Sequence, residues 1–111
     1  MKKFIVIYHM PKGAAWKMEG VSPEDMKKGM ESWMVWAKKC GSGLADMGTP
    51  LANGQKVAKG GTSPSDKGVV GYSILQAESM GDAVAMLKGH PHLEWADGCE
   101  IEVHESMPVP M

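Results

Sequence analysis

Seven consecutive residues, Lys3-Phe4-Ile5-Val6-Ile7-Tyr8-His9, constrain this chain more than any others. They are β-branched or aromatic almost throughout, with apolar side chains at both odd and even positions. A strand with one wet face alternates, whereas this one is apolar on both sides and must be covered twice. It is therefore expected at the centre of a sheet. One cover can come from helices of the same chain, and the other most simply comes from the sheet of a second copy. A chain of 111 residues forms one domain with a modest core, which gives a dimer a further physical motive.

Downstream segments supply the remaining elements. Ser22-Pro23-Glu24-Asp25 is a helix start, with Ser22 as N-cap, Pro23 at the first helical position and acids in the first turn. The helix is expected to reach Cys40, with Lys38 and Lys39 at its carboxyl end and Gly41 or Gly43 stopping it. Met26, Met30, Trp33, Met34 and Ala37 form its apolar stripe, and Trp36 lies off that stripe by about 100°, toward a partner subunit or a pocket rim. Leu44-Ala45-Asp46-Met47-Gly48 reads as a short strand. Asn53-Gly54 predicts the turn of a hairpin insertion between residues 50 and 57. The polar run 60–68 predicts a loop, as does 10–21, where Trp16 and Met18 are the apolar anchors. Val69-Val70-Gly71-Tyr72-Ser73-Ile74-Leu75 is the next strand. Ser79 and Asp82 cap a short helix with Met80, Ala83, Val84 and Leu87 on one face, ended by Gly89 and Pro91. The last strand alternates Cys99, Ile101 and Val103 with Glu100, Glu102 and His104.

The order strand, helix, strand with hairpin, strand, helix, strand predicts an α+β fold, a ferredoxin-like split βαβ sandwich carrying a β-hairpin insertion, in a single domain over residues 1–111. No repeat or linker interrupts it.

Charge and motifs exclude several functions. Twelve basic against thirteen acidic residues, net −1 and without a basic run, lack the electrostatic footprint of a nucleic-acid binder. Lys2-Lys3 precedes only five apolar residues, too few for a signal core or a membrane span, so a soluble, cytoplasmic protein is expected. Cys40 and Cys99 have no neighbouring cysteine or ligand-spaced histidine, which argues for free thiols and against zinc. There is no nucleophile elbow, phosphate loop or dinucleotide fingerprint, and no cofactor is implied.

The densest chemistry lies in Gly89-His90-Pro91-His92-Leu93-Glu94-Trp95. Two imidazoles, a carboxylate and an indole crowded beyond a helix end form the best candidate site. His90 and His92 are the candidate acid–base residues. His9, Trp33, Trp36, Tyr72, Glu94 and Trp95 are candidate pocket residues, with Tyr8 a core or pocket-wall residue. Structural roles compete: one imidazole can cap the second helix or bond loop backbone while the other faces solvent, and a Met/Trp stripe more often builds a core than a pocket. A metal site would need further ligands, and His9 and His104 would have to arrive from other strands.

Taken together, Met1 to Tyr8, Ser22-Pro23-Glu24, Trp33-Met34-Val35-Trp36, Val70-Gly71-Tyr72-Ser73-Ile74, Gly89-His90-Pro91-His92-Leu93-Glu94 and Glu100-Ile101-Glu102-Val103 resemble the YCII-related, DGPF-type proteins of the dimeric α+β-barrel superfamily. The resemblance implies a subunit that dimerises through its sheet, with a pocket between sheet and helices. In some members a His on the first helix and an Asp before a Pro after the second are proposed as an acid–base pair. Here the first helix has no His, His90 precedes Pro91, and the DGPF loop reads Ser63-Pro64-Ser65-Asp66-Lys67-Gly68. Three functions stay open: a small-molecule-binding homodimer, an enzyme on a small metabolite using a loop His, or a non-catalytic accessory or interaction protein.

Overall fold

The structure, a computed structural model, describes residues 1–11, 23–95 and 98–108. The readings of Trp16, Met18 and Ser22, and of the side chains of Met26, Glu94 and Trp95, lie outside the described residues.

The chain forms an α+β domain around a four-stranded antiparallel sheet. Strand β1 (Lys2–His9) lies between β5 (Val69–Ala77) and β6 (Glu100–Glu105), and β2 (Leu44–Asp46) extends the sheet beyond β5. Because β1 pairs antiparallel with β5 and β5 antiparallel with β2, β1 and β2 run the same way with β5 between them. They are joined through α1 (Pro23–Cys40). The same logic makes β5 and β6 co-directional around β1, joined through α2 (Met80–Met86) and α3 (Pro91–Trp95). None of the described helices is long and apolar enough to cross a membrane.

The two faces of β1 differ. Phe4, Val6 and Tyr8 are sealed, together with Ser73, Leu75 and Ala77 of β5, under Trp36, Ala83 and Leu87. Ile5, Ile7 and His9 are only half-buried and alternate onto the opposite face. Register sets Ile5 beside Ile74 and His104, and Ile7 beside Tyr72 and Glu102. Ile5, Ile7 and Ile74 of that face lie outside the core cluster.

Three expectations need correction. The buried face of α1 is Trp33, Trp36, Ala37 and Cys40, whereas Met30 and Met34 are about half exposed. Both sets follow helical spacing. The indoles decide between them, since they bury the most area and the Trp36 N–H finds the Met86 carbonyl at 2.9 Å. Trp36 is thus a core residue, 4% exposed, and not a rim residue.

The hairpin is displaced as well. Its strands are β3 (Gln55–Ala58) and β4 (Gly61–Pro64), turning at Lys59-Gly60 inside what reads as a loop. Asn53 does take the left-handed conformation its type favours, at φ 56°. It bends the chain before β3, and the Ser65 N–H closes the base on the Gly54 carbonyl at 2.9 Å.

Thirdly, the segment after Gly89 is helical. Gly89 takes φ 74°, ending the α2 region, and Pro91 then opens α3. The Ser79 cap of α2 is as expected, its hydroxyl accepting the Asp82 N–H at 3.2 Å. Of the apolar face read for α2, Ala83 and Leu87 are buried while Met80 and Val84 are substantially exposed.

Candidate functional site

Tyr8 organises the site from the middle of the sheet. Its ring meets Trp33 edge-on at 5.0 Å and lies 5.0 Å from the His90 ring and 5.2 Å from that of His92. The Ser73 hydroxyl donates to the Met47 carbonyl at 2.7 Å, so the Tyr8 hydroxyl, 2.7 Å from Ser73 Oγ, acts as donor to it. This relay ties β1, β5 and the chain beyond β2 together. Burial favours the neutral phenol and pushes Tyr8 up to about 12.

His90 is fully buried against Trp33 and Trp36, with ring centroids 4.5 Å and 4.4 Å away. Its Nδ1 accepts the His92 backbone N–H at 2.9 Å, so the imidazole caps α3. The proton of the neutral ring then sits on Nε2, which has no hydrogen-bond partner among the described residues and is enclosed beside aromatic rings. Desolvation by burial, and secondarily the neighbouring His92, lower His90 to about 4. His90 is held neutral.

His92, 3% exposed, donates from Nε2 to the His9 carbonyl at 2.8 Å. Burial lowers its pKa, while contacts with the His9 and Glu100 backbone act in the opposite sense. Neither imidazole faces water. The alternative in which one imidazole caps the second helix or bonds loop backbone while the other faces solvent is met only in part: His90 caps α3, His92 bonds backbone, and neither faces solvent.

A cavity of about 110 Å³ opens next to this cluster. Tyr8 and His92 form part of its wall, Met30 and Trp33 roof it from α1, residues 47–50 close one side, and Val70, Gly71 and Tyr72 supply the β5 side. Gly48 shapes it: a Cβ there would fall 1.8 Å from the Tyr72 carbonyl oxygen, and its φ of 75° suits only glycine. Its N–H is held by Asp46 Oδ1 at 2.8 Å. No Lys, Arg, Asp or Glu lines the cavity among the described residues.

Of the residues singled out in the sequence, Trp33, Tyr72 and His92 line the cavity, whereas His90 and Trp36 stand behind the wall. His9 belongs elsewhere. Its Nδ1 donates to the Lys67 carbonyl at 2.9 Å and its Nε2 lies 2.7 Å from Glu102 Oε1, with His104 3.6 Å from the other Glu102 oxygen. Among the described residues no three His, Cys, Asp or Glu side chains are grouped as metal ligands. Cys40 and Cys99 are free, and burial pushes the Cys40 thiol up.

Sequence reasoning missed the strip at 47–50 and the buried role of Ser73. The succession Gly48-Thr49-Pro50 after a short strand punctuates the chain, but only the fold shows that it runs alongside β5, with Pro50 bridged to Gly71 and the Leu51 N–H on the Val70 carbonyl at 2.9 Å. No protein-family model and no curated protein matches this chain.

Proposed function

We propose that the chain is a YCII-related subunit of ferredoxin-like topology, which acts in the cytoplasm as a homodimer and binds a small molecule between α1, the sheet and residues 47–50. The cavity beside His92 is the observation that carries this reading. Apolar, partly enclosed space next to a buried polar cluster is the usual form of a small-molecule site. The antiparallel order β2-β5-β1-β6 with two co-directional crossovers supports the topology. Ile5, Ile7 and Ile74 on the face away from the helices support pairing of two sheets.

An enzymatic version of this reading falls on His92, which lines the cavity. His90 is committed at Nδ1 and walled off at Nε2 by aromatic rings, so it has no path for a proton to a bound molecule. Thermal-shift screening against neutral and charged metabolites tests the binding reading. A ligand at about 100 times its Kd adds about 2.7 kcal/mol of stability. Silence across the panel would favour an accessory or interaction role.

A further inference from the structure

We infer that the cavity selects uncharged molecules built on a single six-membered ring. This inference rests on the pocket reading above and adds the class of ligand. Volume sets the first limit: about 110 Å³ is of the order of the ~150 Å³ apolar cavity known to accept benzene. The walls set the second. Tyr8 and Trp33 touch edge-on, centroids 5.0 Å apart and planes at 78°, so a flat ring cannot enter between them but can lie against both, parallel to one and edge-on to the other, the favoured aromatic geometries.

Charge sets the third limit. No ionic side chain lines the cavity among the described residues. Two of the polar groups in its wall are committed elsewhere: the Tyr8 hydroxyl donates to Ser73 and the His92 Nε2–H to the His9 carbonyl. An ionic group on the ring or one carbon from it would lose water without gaining a counter-charge, and that loss is large. Burial of His92 keeps it from offering a positive charge to an anion. Thr49 and Met30, both exposed, frame the mouth. The flexible thioether of Met30 can move aside for a flat ring.

The test compares benzyl alcohol, benzoate and benzylammonium at pH 7 on the full chain. Kd is read from intrinsic tryptophan fluorescence and from methionine methyl NMR shifts, alongside the same titrations of M30W and, from the opposite rim, T49W. Benzyl alcohol is expected to bind at least tenfold more tightly than either ion. At least one variant that keeps the wild-type melting temperature is expected to weaken it at least tenfold. A preference below tenfold overturns the ligand class while the pocket stands. Absence of binding by all three probes, or binding that both folded variants leave unchanged, overturns the pocket reading itself.

Discussion

The His92 backbone N–H donates to His90 Nδ1 at 2.9 Å, while the His92 ring donates away from His90 to the His9 carbonyl at 2.8 Å. Two imidazoles separated by one proline thus do different mechanical work. His90 fixes the start of α3, and His92 pins α3 to the end of β1.

That division predicts a graded response at His90. His90→Ala removes the cap and leaves a void among Tyr8, Trp33 and Trp36, so a loss of about 3 kcal/mol in urea denaturation is expected. His90→Asn keeps an acceptor for the His92 N–H and should recover about 1 kcal/mol of that loss. Equal stability of the two variants would show that capping contributes nothing.

Acid sensitivity follows from the same burial. The His90 pKa is depressed from 6.5 to about 4 in the folded protein, so between these values the unfolded chain binds the extra proton. Its contribution is complete above pH 6.5 and is lost as pH falls from there through about 4, by roughly 3 kcal/mol. His92 shifts in the same direction and steepens the loss. Urea midpoints at pH 7.5 and pH 4.5 should therefore differ markedly in the wild type and less in His90→Gln. A wild-type midpoint independent of pH over this range would contradict the buried, neutral state.

Within the Tyr8–Ser73–Met47 relay, direction determines the outcome. Tyr8→Phe removes a donor, yet Ser73 still reaches the Met47 carbonyl, so a cost of about 1 kcal/mol is expected. Ser73→Ala strands both the Tyr8 hydroxyl and that carbonyl, for about 2–3 kcal/mol. Denaturation of the two variants should give this order, and the reverse would mean that the hydroxyls point the other way.

How much of this was legible in the sequence depends on whether a local signal had competition. Ser79 capping α2 and the α+β succession of elements rest on nearest-neighbour chemistry and are read directly. The face of α1 was ambiguous because residues 30, 33, 34, 37 and residues 33, 36, 37, 40 are both valid apolar stripes. A tertiary contact, the Trp36 bond to Met86, chose between them. The hairpin turn went to Lys59-Gly60 because Asn53-Gly54 spends its left-handed preference on a bend. The histidine–proline segment reads as a loop, whereas Pro91–Trp95 is helical. Five residues are too few for any period to declare itself.

The choice of α1 face can be checked directly. Trp36→Ala should cost about 3–5 kcal/mol, because it empties buried volume and frees the Met86 carbonyl. Met34→Ala, on the half-exposed side, should stay within about 0.5 kcal/mol of wild type. Comparable losses at both positions would restore the methionine stripe.

Sheet pairing gives the last prediction. Ile7 is half-buried within one protomer, between Tyr72 of β5 and Glu102 of β6, on the face that carries no helix-packed core. Replacing it with lysine adds a charge whose stem can lie along Ile5 and whose ammonium can reach Glu102, so a lone protomer should tolerate the change. Between two paired sheets the same ammonium would be buried twice over, once from each copy. Sedimentation at micromolar concentration should therefore show a dimer for the wild type and a folded monomer for Ile7→Lys, with far-UV circular dichroism unchanged. A wild type that sediments as a monomer, or an Ile7→Lys variant that remains dimeric, would remove this face as the site of association.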